Sequence, residues 1–238
     1  MSKKKHFFFI FTFLFILLAQ AQKNKDSLHI AIDLNWKNES LKLYNKYHSS
    51  SDLLEITTLK FYLSGIEIQY DDATKFIQKD RYHLVDIEDE NSLIIPICKT
   101  SNKMISKVIF SIGVDSLASV SGALSGALDP VKGMYWAWQS GYINMKIEGR
   151  CSSCNPEASR RKNGFQFHIG GYLQPNYAIR KIEIPITKTQ ILTNEIRIQV
   201  DAAILFDAIK LEKVNSIMVP GTEAMKIADL SAKMFIVE

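Results

Sequence analysis

From residue 28 the chain alternates. Leu28, Ile30, Ile32 and Leu34 are apolar, while His29, Asp33 and Asn35 are polar. A period of two predicts a half-buried strand over 28–35. The same reading predicts strands over 54–63 and 66–70, hinged at Ser64-Gly65, and over 82–87, 108–114, 165–169, 179–186 and 195–200. Residues 128–149 hold Trp136 and Trp138. They read as a core strand with Met134, Trp136 and Trp138 on one face, broken at Gly141. Stretches 37–52, 88–91 and 150–163 are polar and predict loops; 115–125 predicts a loop with a helical turn. Residues 201–206 either continue the preceding strand or open a short helix. Over 223–235, Ala224, Ile227, Ala228, Ser231 and Met234 share one helical face. Short strands between turn signals predict an all-β fold, an antiparallel β-sandwich with a short C-terminal helix. No β–α–β alternation is visible, so parallel pairing is not expected.

The N-terminus changes the picture of where the protein works. Lys3 to Lys5, the apolar run from Phe7 to Leu18 and Ala19-Gln20-Ala21 predict a signal peptide over 1–21, with one domain over 22–238. The apolar run is too short to span a bilayer comfortably, so no stable membrane insertion is expected after cleavage. The expected location is periplasmic or secreted. The net charge of +4 also shrinks: without the three leader lysines, 26 basic side chains face 25 acidic ones. That near-neutrality gives no electrostatic case for nucleic acid. There is no Gly-rich phosphate loop, G-x-S-x-G elbow or H-E-x-x-H motif, so no enzyme class is indicated.

Candidate chemistry is sparse. Cys151 and Cys154 form a C-x-x-C pair, with Cys98 odd. In an oxidising compartment a local disulfide is one reading, free thiols another, and half a metal site a third. A thioredoxin-like role fits poorly, because the pair follows a strand and precedes a polar loop. The histidines after the leader are His29, His48, His83 and His168, none within five residues of another. Any metal site must be assembled by the fold. On its strand, His168 points with Gln166 and opposite to Phe165, Phe167 and Ile169.

Several segments carry a resemblance. Asp129-Pro130 and Gly133-Met134-Tyr135-Trp136-Ala137-Trp138-Gln139-Ser140-Gly141-Tyr142, ending at Lys146-Ile147-Glu148-Gly149, resemble the signature of the MbnP-like copper-binding family. Leu59 to Ile66, Tyr82 to Asp86, Ile112 to Asp115, Phe167 to Gly170, Lys226 to Asp229 and Met234-Phe235 match it in order. The resemblance implies a secreted β-rich protein related to methanobactin-associated and copper-repressible surface proteins. It implies copper(I) held by histidine nitrogens, with His168 at the family's histidine position. It further implies a kynurenine made from a tryptophan by a partner di-haem enzyme, with Trp136 and Trp138 as the candidates. Family members often carry a histidine in the first strand, and Asp33 to Trp36 offer none. His29 is then the second ligand expected, with His83 in reserve. The alternative is an exported β-sandwich interaction module that has lost the metal site.

Overall fold

The computed structural model describes residues 27–99, 102–139, 141–154, 163–187 and 194–236. The leader over 1–21, Ser140 and the polar run of residues 155–162 lie outside the described residues. Two sheets enclose one apolar core. The smaller contains β1 (Ser27–Trp36), β2 (Glu39–Ser40), β7 (Ile94–Lys99), β15 (Glu195–Asp201) and β17 (Phe235–Ile236). The larger runs in the order β14 (Arg180–Pro185), β8 (Ile105–Ile112), β4 (Leu53–Tyr70), β10 (Gly141–Cys151), β11 (Gly164–Gly170) and β16 (Ser216–Ile217). Four short strands join it: β3 (Lys46–His48), β5 (Lys75–Ile77) and β6 (Tyr82–Asp86) pair with β4, and β9 (Tyr135–Trp136) pairs with β10. β12 (Tyr172–Leu173) and β13 (Asn176–Tyr177) make a separate hairpin. The helices are α1 (Ser116–Val120), α2 (Ala202–Ala208) and α3 (Thr222–Ala232).

The all-β sandwich with its short C-terminal helix follows from alternation. Leu28, Ile30, Ile32 and Leu34 of β1 share one buried cluster with Phe165, Phe167 and Ile169 of β11 and with Ile196, Ile198 and Val200 of β15. Each such side chain contributes about 1.5–3 kcal/mol when fully buried. Two pairings among the described residues are parallel, β1 with β15 and β11 with β16, against the expectation from the sequence. The chain between β1 and β15 builds all of the larger sheet except β16, so no local β–α–β unit announces that contact.

β4 is a single strand of 18 residues, not two. Its core positions switch parity twice: Leu54 and Ile56, then Leu59, Phe61 and Leu63, then Ile66 and Ile68. Both switches coincide with irregular register. Against β10, Thr58 pairs with Glu148 and Ile56 with Gly149, so Thr57 is skipped. Against β8, register shifts between Ser64 and Glu67, at the hinge expected from Ser64-Gly65. These are β-bulges, which add a residue and re-aim side chains.

The tryptophan stretch differs most from expectation. Gly126–Leu128 and Pro130–Lys132 are 3-10 turns, and only Tyr135–Trp136 is strand before a turn leads into β10. Asp129 fixes the second turn by accepting from the Val131 N–H, and Gly133 closes it at φ 71°. Trp136 pairs with Gly141, so the two tryptophans do not share a strand.

Candidate functional site

The outer face of the larger sheet is where unusual residues collect. Against the core-facing Phe61, Ile147 and Phe167, their neighbours Lys60, Lys146, Glu148, Gln166 and His168 turn outward. Register places Lys146 opposite both Lys60 and His168, and Glu148 opposite both Thr58 and Gln166. His168 is only 8% exposed and Glu148 only 7%. Nε2 of His168 lies 2.7 Å from Oε1 of Glu148, and the Lys146 ammonium is 3.9 Å from the same oxygen. Lys60 and Asp86 form a second pair at 2.6 Å. A buried carboxylate needs such partners, since burying an unpaired charge is costly.

Beside this polar patch sits a second, smaller core of Tyr62, Val114, Ala118, Leu128, Met134, Trp136, Tyr142 and Ile143. The segment from Gly113 to Trp136 folds over the sheet to cover it. Its anchors are phenols: Tyr62 donates to the Ala127 carbonyl at 3.1 Å and Tyr142 to the Gly122 carbonyl at 3.2 Å. Tyr82 donates to Asp115 at 2.5 Å. Burial and then that bond raise the Tyr82 phenol to about 12.

Trp136 stands where the two patches meet. It is 5% exposed, and its Nε1 has no hydrogen-bond partner among the described residues. A Cβ added to Gly170 would lie 2.6 Å from Cζ3 of Trp136, so the indole is packed directly on that glycine. Gly170 is two residues beyond His168 on β11, hence on the same face. The structure therefore brings Trp136 and His168 to one site. Trp138 is 64% exposed, with its ring centroid 5.8 Å from that of Trp136.

The other histidines lie elsewhere. His29 has the parity opposite to Leu28 and Ile30, so it faces outward from the smaller sheet, with the core between it and His168. His83 pairs with Leu63 and shares the inward parity of Val85. Its Nε2 lies 3.0 Å from Gln78 Oε1 and 3.2 Å from the Asp80 carbonyl. Burial holds its imidazole below the usual histidine range. His48 is exposed on β3. No group of three or more His, Cys, Asp and Glu suited to a metal occurs among the described residues. The fit to copper rests on one imidazole and on the orphaned Nε1 of Trp136. Sequence reasoning missed Glu148. Its signal was an acid set between Ile147 and Gly149 in a strand most of whose residues are buried.

Cys151 and Cys154 are joined by a disulfide, with Cα atoms 5.4 Å apart, and Cys98 is free. Asp52 secures that loop, accepting from the N–H and hydroxyl groups of both Ser152 and Ser153. Burial alone would raise the Asp52 carboxyl, but those bonds outweigh it and lower it.

A family model described as MbnP matches residues 25–219. No curated protein matches the chain. Among solved structures, MbnP from Methylosinus trichosporium is similar in fold, with a TM-score of 0.56 at 13% identity, over 82% of each chain.

Proposed function

Because the chain belongs to the MbnP family, we propose that it is an exported, non-catalytic copper-binding protein whose copper(I) site is built on His168 and Trp136. One observation carries this reading: a buried imidazole and a buried indole, whose nitrogen lacks an acceptor among the described residues, lie over one face of β11. Glu148 accepts the Nε2 proton of His168, which leaves the Nδ1 lone pair for a metal. The indole N–H itself offers no donor pair. Oxidation to kynurenine turns that same nitrogen into an aniline, a neutral donor that complements imidazole toward copper. In this reading a di-haem oxidising partner reaches Trp136 from the side of Trp138, whose ring is exposed and 5.8 Å from that of Trp136. The Cys151–Cys154 disulfide suits a periplasmic or secreted location. His29 and His83 take no part, since neither reaches this face.

The test is a competition titration against a copper(I) chelator. His168→Ala is expected to weaken binding about tenfold or more, equivalent to about 1.4 kcal/mol, while His29→Ala leaves it unchanged. With the disulfide reduced, the intact mass of the mature chain should exceed its sequence mass by about 4 Da, for the oxygens gained and the carbonyl lost. Equal affinity in wild type and His168→Ala overturns the reading. A metal-free interaction module would then stand. It is favoured by there being no group of three or more His, Cys, Asp and Glu suited to a metal among the described residues, and by the exposed apolar side chains of Leu117, Val131 and Trp138.

A further inference from the structure

A cleft of about 610 Å³ opens beside the His168 site, lined by Tyr44, Thr57, Thr58, Glu148, Gly149, Arg150 and Gly164. Sites for small organic ligands span roughly 300–1,000 Å³. This one is made by the first bulge of β4. Ile56 and Leu59 are both fully buried, so the residue added between them turns Thr57 and Thr58 together toward the outer face. Bulges recur next to functional sites, where they re-aim side chains. Opposite the bulge, Gly149 has no room for a side chain: a Cβ there would lie 2.0 Å from the Glu55 carbonyl and 2.4 Å from Phe165 Cζ.

Tyr44 forms the rim. It is 63% exposed and holds φ at 64°, a backbone region that non-glycine residues seldom occupy. Its N–H donates to the Ile56 carbonyl at 2.9 Å, which ties it to the bulge. Residues held in sparsely populated backbone regions cluster at ligand-binding sites, and this one is an exposed aromatic at the rim of a cleft of mixed polarity.

The charges in the cleft are compensated. Glu148 is bonded to His168, and Arg150 lies 3.6 Å from Glu55. Neither is left as an unpaired charge to select an anion or a metal ion. β4 and β10 are paired with each other here, so no bare strand edge is offered to a peptide. What remains is an aromatic face, two threonine hydroxyls and a mixture of donors and acceptors. We infer that this cleft binds a neutral saccharide, with a pyranose ring stacked on Tyr44 and its hydroxyls bonded to Thr57 and Thr58. Glu148 forms the wall between this site and His168.

The experiment applies the mature chain to an array of neutral glycans, then titrates any captured oligosaccharide by calorimetry. Wild type is expected to capture at least one glycan. Tyr44→Ala should weaken that binding tenfold or more with an unchanged far-UV circular dichroism spectrum, and Thr57→Val should weaken it less. His168→Ala should bind the glycan like wild type, which separates this result from the copper titration. Capture of no glycan by wild type overturns the inference, as does equal binding by Tyr44→Ala.

Discussion

The two faces of the larger sheet are built from the same strands and do different work. On the inner face, Phe61, Ile147, Phe165 and Phe167 are completely buried and apolar. One residue away along the same backbones, Lys60, Glu148 and His168 stand on the outer face, paired by charge and hydrogen bonds. The inner face can be filled by any side chains of suitable volume, because burial has no direction. The outer face is specific, since each buried polar atom needs a partner at the right distance and angle. Chemistry therefore gathers where the sheet is covered only in part.

The contrast can be broken from the inner side first. Phe167→Ala leaves a cavity in the shared core and is expected to cost about 3–5 kcal/mol, measured by urea unfolding. A loss below about 1 kcal/mol would mean that the core there is already loose. A smaller effect belongs to the boundary between patches. Gly170→Ala drives a methyl into the ring of Trp136 and should cost about 1–3 kcal/mol. The accompanying change in tryptophan fluorescence should be absent from Phe167→Leu. If Gly170→Ala is neutral, Trp136 is not seated on β11 as described.

The smallest effect lies at the strand ends, where Asp52 holds Ser152 and Ser153. Its folded carboxyl is lowered below the ordinary value of 3.8. The stabilisation is thus complete above that value and is lost as pH falls through the lowered folded value. Asp52→Asn should cost about 1 kcal/mol at neutral pH, and its difference from wild type should shrink on acidification. A difference independent of pH down to strongly acid conditions would show that the charge of Asp52 is not what secures the loop.

Much of this was legible along the chain. Alternation located β1, β11 and β15, and the amphipathic pattern located α3. The flip of β4 from Leu54 and Ile56 to Leu59 and Phe61 was not read from the run over 54–63, though in hindsight it shows as a change of parity at Thr57-Thr58, where the cleft lies. The tryptophan segment misled because aromatics and glycines look alike in a long strand and in a strand entered through 3-10 turns. Trp136 and Trp138 have the spacing of one strand face. Yet Trp136 ends its strand and Trp138 lies in the turn, so one is buried and the other exposed.

The sequence by itself determined which residues share a face in the regular strands β1, β11 and β15, because side chains alternate with a period fixed by the backbone. It thereby set His168 apart from Phe167 and His29 apart from Ile30. Only the tertiary structure decided which faces meet. It placed Glu148 beside His168, laid Trp136 on Gly170, and put His29 and His83 out of reach of His168. Those outcomes depend on strand order and register between segments far apart in the chain. Alternation fixes which face of a strand turns inward, but the residue it meets on a strand far away in the chain is fixed only when the whole core closes.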